Sequence, residues 1–198
     1  MTIGVLAFQG DVSEHMQALA ALDTEAREVR SVSDLAEVQG LIIPGGESTV
    51  IWKFLEGTGL RERIIARHHE EQLPIYGTCA GAILLAKEVF SDGVPESRFR
   101  PLGLMDISVE RNAYGRQTES FEEVISLHFG AATEDCPAIF IRAPKVLSIG
   151  QEVEVLARHH ELPIAIRQGN LLASTFHPEL RNTPSLLHRH FLTLVSRG

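Results

Sequence analysis

The chain has 198 residues, 44% hydrophobic and 22% charged, the composition of an ordinary globular protein with a sizeable core rather than of a disordered chain. Its formal net charge of -8 at pH 7 argues against a nucleic-acid surface, and no apolar run approaches the length of a membrane span. Two cysteines, Cys79 and Cys136, make no disulfide framework and point to a reducing cytoplasm.

The N-terminus lacks a basic leader region, and Ile3–Phe8 reads as a first strand. Asp11 then has the form of a helix N-cap, with Glu14 closing a capping box. Val12, His15, Met16, Leu19 and Leu22 follow at helical spacing. Glu25–Arg30 reads as a second strand, and Gly40–Pro44 as a buried one of the continuous apolar kind. Ser48–Leu55 and Leu60–His69 suit helices, with Gly57-Thr58-Gly59 a turn between them. Leu73–Tyr76 is a strand and Ala80–Val89 a helix. This order predicts an α/β fold in three layers, a mostly parallel central sheet with helices on both faces.

The middle changes character. Ser91–Pro101, rich in Pro, Gly, Ser and Arg, reads as a loop. Then come short runs at Ile107–Glu110, Val124–His128, Ala138–Ile141, Val146–Ile149, Val153–Arg158, Pro163–Arg167 and Leu171–Ser174. Their close spacing, with turns such as Gln168-Gly169-Asn170, predicts a smaller antiparallel portion in the C-terminal half. Ser185–Val195 closes the chain as a helix, with Pro184 near its first turn. No repeat or linker divides the sequence, so residues 1–198 are expected to form a single domain. The pairs His68-His69 and His159-His160 lack zinc-site spacing and read as surface residues.

The chemistry centres on Gly77-Thr78-Cys79-Ala80-Gly81, a G-x-C-x-G version of the nucleophile elbow. A thiol on such a strand-to-helix turn faces a helix N-terminus, which favours thiolate. A lone cysteine is more often a buried structural residue, but flanking glycines are not needed for that. A thiol nucleophile needs a base and a group to orient the base. His177-Pro178-Glu179 supplies both, since Pro178 biases His177 to extended chain and residues two apart then share a side. Pro44-Gly45-Gly46-Glu47-Ser48 is the third element. Its glycines can turn backbone N–H groups toward an oxyanion, while Ser48 can cap the next helix. Phosphate-loop and dinucleotide patterns are absent.

These motifs resemble class I (triad) glutamine amidotransferases, and more closely the glutaminase subunits of pyridoxal 5′-phosphate synthases. The more specific stretches are Gly4-Val-Leu-Ala-Phe-Gln-Gly10, Val109-Glu-Arg-Asn-Ala-Tyr-Gly-Arg-Gln117 with Ser120-Phe-Glu122, Phe140-Ile-Arg-Ala-Pro144, and Ser174-Thr-Phe-His-Pro-Glu-Leu180. The likeness spans essentially the whole chain. It departs only in a longer Asp92–Arg100 loop and an idiosyncratic Thr133–Cys136.

The resemblance implies hydrolysis of L-glutamine to glutamate and ammonia. The ammonia passes to a separate synthase (lyase) subunit, in a hetero-oligomeric complex, that makes pyridoxal 5′-phosphate from a pentose phosphate and a triose phosphate. Cys79 would be the nucleophile, His177 the base and Glu179 its orienter. Backbone N–H groups of Gly46 and Ala80 would form the oxyanion hole. Glutamine-binding positions fall on Gly46, Glu47, Ser48, Arg111, Ile141 and Arg142. No metal, cofactor, nucleic acid or membrane is expected. From the residues themselves an Arg reads first as a surface charge, although Arg111 and Arg142 each follow an apolar run where a sheet can position a guanidinium on the α-carboxylate, and Glu47 can either pair with the α-ammonium or sit favourably near a helix N-terminus. Gln9, at the carboxyl end of the first strand, is a second-tier candidate. Cys136, in a loop-like stretch before Pro137, is expected to be dispensable. Gly45-Gly46 is permissive for a peptide flip that would set the oxyanion hole only when the partner docks. Alternatives are a triad amidotransferase serving histidine, purine or aromatic synthesis, and a binding module on the same fold without activity.

Overall fold

The computed structural model describes residues 1–111, 120–181 and 185–197. In chain order the first half runs β1 (Thr2–Leu6), α1 (Val12–Ala20), β2 (Glu25–Val29), α2 (Val32–Ala36), β3 (Gly40–Ile43), α3 (Ser48–Thr58), α4 (Leu60–Glu71), β4 (Ile75–Thr78) and α5 (Ala80–Leu85). Then follow β5 (Ala86–Ser91), β6 (Val94–Pro95), β7 (Met105–Arg111), β8 (Phe121–Phe129), β9 (Ala132–Phe140) and β10 (Lys145–Ile149). The last elements are β11 (Glu154–His159), β12 (Leu162–Gln168), β13 (Leu171–Ser174), a single 3-10 turn at Pro178–Leu180, and α6 (Leu186–Val195).

The main sheet has seven strands in the order β11-β12-β13-β4-β3-β1-β2. From β13 to β2 every pairing is parallel, while β11, β12 and β13 pair antiparallel. Strands β3, β4 and β13 are buried at every position because both faces of the sheet are covered. On β3, Leu41 and Ile43 face one core and Ile42 the other, as alternation along a strand requires. Ile75 and Tyr76 on β4 divide in the same way, as do Leu171 and Leu172 on β13. The first core is closed by Ile51 and Leu55 of α3 with Leu60 and Ile64 of α4. The second is closed by Leu19 of α1 and by Leu187 and Phe191 of α6. A four-stranded sheet, β10-β7-β5-β6, and the two-stranded pair β8-β9 complete the architecture. The α/β class, the parallel core and the smaller antiparallel portion thus match the expectation from sequence.

Several local expectations are corrected. The helix after the elbow ends at Leu85, and Ala86–Ser91 is a strand. There Ala86 and Val89 are buried while Lys87 and Glu88 are exposed, and parallel pairing with β7 overrides the helical look of the run. The Ser91–Pro101 loop contains β6, which pairs with β5. The C-terminal strands are not uniformly antiparallel, since β5 runs parallel to β7 and β13 parallel to β4. Helix α1 ends before Leu22. Gly57 and Thr58 are the last residues of α3, and Gly59 alone makes the break, at φ 73°. Cys136 lies in β9, not a loop, and is buried. His68 and His159 are half-buried, the first bonded to the Leu73 carbonyl and the second paired with Glu123. Pro184 and residues 112–117 of the Val109–Gln117 motif lie outside the described residues.

Candidate active site

Four parallel strands, β1, β3, β4 and β13, end at one edge of the sheet, where ligands of such sheets bind. Cys79 follows β4 at φ 47° and ψ -101°, a backbone region that costs energy for a residue with a Cβ and is typical of a nucleophile turn. Its N–H donates to the Ser174 carbonyl of β13 at 2.8 Å, which pins the turn. Gly81 lets α5 lie directly on β3, since a Cβ there would sit 2.0 Å from the Ile43 carbonyl oxygen. The thiol is 6% exposed and 3.9 Å from the Ile141 carbonyl oxygen.

His177 follows β13, and its N–H donates to the Ile139 carbonyl of β9 at 2.8 Å. Its imidazole and the Cys79 thiol line one cavity. On the far side, His177 Nδ1 lies 2.9 Å from Glu179 Oε1 and 3.0 Å from Asp11 Oδ2, so two carboxylates share one ring nitrogen. Burial works against a charge on His177, but hydrogen bonds to Asp11, Cys79 and Glu179 outweigh it and hold its pKa well above the ordinary value. Burial also raises the Glu179 carboxyl, against the pull of the His177 bond. The donor atoms of Asp11, His177 and Glu179 lie close enough together to close on a cation, but here they are engaged with one another.

A cavity of about 250 Å³ opens over the thiol, sized for a small molecule rather than a polymer. Cys79 and His177 form its floor, and Glu47, Arg111 and Arg142 its charged wall. Arg142 reaches Glu47 Oε2 at 3.3 Å, and Arg111 lies 3.6 Å from Oε1. Burial raises the Glu47 carboxyl, but hydrogen bonds from Thr49 and Arg142 and the Arg111 charge bring it below its ordinary value. Arg111 is 11% exposed, held by Glu96 at 3.3 Å and stacked over the Phe99 ring at 5.3 Å. The cavity therefore joins a thiol and imidazole pair to a carboxylate and two guanidiniums, the complement of an amino acid's ammonium and carboxylate.

A model of the SNO glutamine amidotransferase family matches residues 5–197. The chain belongs to this family. It is 50% identical over 193 residues to a pyridoxal 5′-phosphate synthase subunit PdxT of Thermus thermophilus, covering 98% of this chain and 97% of that one. A crystal structure described as that of a glutamine amidotransferase superposes with a TM-score of 0.89 at 48% identity, over 98% of both chains. The PurLQS structure from Thermotoga maritima shares the fold, with a TM-score of 0.69 at 16% identity.

Within this amidotransferase, most of the residues singled out from sequence meet at one place. Cys79, His177, Gly46, Glu47, Ser48, Arg111, Ile141 and Arg142 all line the cavity. Glu179 lies behind His177, and Ala80 is buried as the first residue of α5. Gln9 lines the cavity too, and its Oε1 accepts the Glu47 N–H at 2.7 Å. Gly46 adopts φ 144°, which a side chain would strain, and a Cβ there would meet Gln9 Oε1 at 2.6 Å. The helix-cap readings need correction. Glu47, not Ser48, is the N-cap residue of α3 and makes no side-chain cap bond. Asp11 makes no cap bond either, because its carboxylate turns to His177 instead. Asp11 and Glu96 were therefore missed as site residues. Asp11 had a signal, its place just beyond the carboxyl end of β1, whereas Glu96 is one charge in a polar loop and had none.

Proposed function

We propose that this amidotransferase hydrolyses L-glutamine to L-glutamate and ammonia through a Cys79-His177-Glu179 triad and a thioester intermediate. Its ammonia goes to a synthase subunit that makes pyridoxal 5′-phosphate from a pentose phosphate and a triose phosphate, residues 1–198 acting as one glutaminase domain. The observation that carries the reading is the shared cavity. In it the Cys79 thiol and an imidazole whose Nδ1 lies 2.9 Å from Glu179 share a lining with Glu47, Arg111 and Arg142. The name of the half-identical Thermus subunit supports the choice of partner.

In this mechanism the α-ammonium of glutamine meets Glu47 and its α-carboxylate meets Arg111 and Arg142, with Ser48 and Ile141 flanking the side chain. His177 takes the thiol proton, and the Cys79 sulfur attacks the amide carbon. The oxyanion is received by the backbone N–H groups of Gly46 and Ala80. His177 gives its proton to the leaving nitrogen, and ammonia departs from the thioester. A water molecule, deprotonated by His177, then attacks the acyl carbon, and glutamate leaves as the thiol is restored. Glu179 keeps the imidazole oriented and balances its charge through both steps.

Ammonia release from glutamine, measured with and without the synthase subunit, tests this. Release that rises with the synthase and vanishes in Cys79→Ala, while the complex still forms, is the expected result. Undiminished hydrolysis by Cys79→Ala would overturn the triad.

A further inference from the structure

Behind the triad, on the side away from the cavity, a line of buried polar side chains takes no part in the chemistry above. Ser185 Oγ lies 2.8 Å from His188 Nδ1, and His188 Nε2 lies 2.8 Å from His15 Nδ1. His15 Nε2 lies 3.1 Å from Thr78 Oγ1, which donates to Glu179 Oε1 at 3.4 Å. His15 Nε2 is also 3.6 Å from that carboxylate oxygen. His15, Thr78, Glu179, Ser185 and His188 are all buried. The line thus ties α6, α1 and the end of β4 to the same oxygen that meets His177.

The direction of its hydrogens follows from where the line ends. A carboxylate only accepts, so the Thr78 hydroxyl that reaches Glu179 must donate there. Thr78 Oγ1 then has only acceptor capacity left for His15, which must carry its hydrogen on Nε2. His15 Nδ1 is consequently an acceptor, so His188 also carries its hydrogen on Nε2 and accepts from Ser185 through Nδ1. Ser185 Oγ keeps a lone pair for the His188 backbone N–H at 3.2 Å. Reversing the line would turn the Thr78 hydroxyl away and aim the His15 Nε2 lone pair at the carboxylate. Glu179 Oε2 is buried without a hydrogen-bond partner among the described residues, so Oε1 bears the whole load.

We propose that His15 is a positioning residue for the triad, its Nε2–H holding the Thr78 hydroxyl on Glu179, with His188 and Ser185 fixing the tautomer that makes this possible. The proposal rests on the triad reading given above. Neutrality of both rings fits it. Burial first, then the His188 and His177 charges, hold the His15 pKa well below the ordinary value, and burial pushes His188 down to about 4. The groups facing Glu179 are His177 and Asp11 from the cavity side, His15 from α1, His188 beyond it on α6, and Tyr76 from β4. Tyr76 stays a neutral hydroxyl, since burial raises its pKa well above the ordinary value.

Nitrogen-15 NMR of the imidazoles in the full-length wild type reads the tautomers directly. The expected result is that His15 and His188 are both neutral and protonated at Nε2 between about pH 6 and 8. A charged His15, or one protonated at Nδ1, would overturn the proposal. The second measurement is the pH profile of glutaminase turnover with the synthase subunit for His15→Phe and His15→Gln. Loss of the donor in the Phe variant should move the acidic limb up by about one pH unit and lower kcat, with KM unchanged. The Gln amide, placed where Nε2 was, should return the limb toward wild type. Equal losses in both variants with an unmoved acidic limb would mean packing alone and overturn the proposal. Failure of the triad itself would show separately, as glutamine hydrolysis surviving Cys79→Ala, and would leave the tautomer result standing.

Discussion

Gly81→Ala should damage the elbow more than it damages the fold. A Cβ at this position would lie 2.0 Å from the Ile43 carbonyl oxygen and 3.0 Å from its carbon. A carbon–oxygen contact is comfortable at about 3.3 Å, so α5 must retreat from β3 by roughly 1 Å. Neither obstacle is the end of a flexible side chain, and both belong to the central sheet. Overpacking of this kind costs about 1–3 kcal/mol, and replacing a helical glycine by alanine returns at most about 1 kcal/mol. A net loss of about 1–2 kcal/mol is expected, visible as a lower urea midpoint. Cys79 directly precedes α5, so the same retreat shifts the thiol against His177. A misplacement of about 1 Å near reacting atoms can cost about a hundredfold in rate. Ammonia release from glutamine with the synthase subunit present should fall by that order, well beyond what the stability loss explains. A variant with wild-type rate and wild-type midpoint would refute the argument that Gly81 sets the height of the nucleophile.

Other expectations concern the charges and the second cysteine. The folded pKa values of His177 and Glu179 both lie above their ordinary values, so at these two sites the folded chain binds more protons than the unfolded one and their contribution to stability falls as pH rises. The His177 contribution is complete below its ordinary value of 6.5 and is lost as pH climbs through the raised value. Asp11→Asn, which removes the largest of the bonds that raise it, should flatten this alkaline loss in urea unfolding measured across pH; an unchanged slope would count against the Asp11 contact. Arg111→Ala should raise KM for glutamine about tenfold or more, the value of one charge-assisted hydrogen bond, and Arg142→Ala less, because Arg142 is 49% exposed and Arg111 11%. Steady-state kinetics that put the larger effect on Arg142 would reverse this assignment. Burial pushes the Cys136 thiol up to about 11, so near pH 7 iodoacetamide should add a single label to the native chain, at Cys79, and Cys136→Ala should leave ammonia release unchanged. Intact-mass analysis of wild type and Cys136→Ala checks the labelling, and the ammonia assay checks the rate.

Where one residue's local pattern agreed with its tertiary role, the sequence was readable. Gly40–Ile43 is apolar at every position because both its faces are covered, and that pattern alone announced a central strand. Gly77, Cys79 and Gly81 announced the elbow because close packing leaves no room for side chains beside it. Asp11 and His15 show the limit. Asp11 has the spacing of a helix cap, yet a buried imidazole across the sheet edge competes for its carboxylate and wins. His15 sits on the buried face of α1 at ordinary helical spacing, and only the approach of Thr78 and His188 from other elements gives it a role. The run from Ala80 to Val89 looked helical throughout, and only pairing with β7, far along the chain, turns its second half into a strand. Glu96 and Phe99 brace Arg111 from a loop whose composition carries no such signal.

We propose that Cys79, activated by His177 and Glu179, releases ammonia from glutamine for a synthase subunit. The most direct measurement is glutamine-dependent ammonia release by wild type and Cys79→Ala, each alone and with that subunit. Release by wild type should increase with the partner, and Cys79→Ala should release none in either condition. Release by Cys79→Ala at the wild-type rate would contradict the proposal.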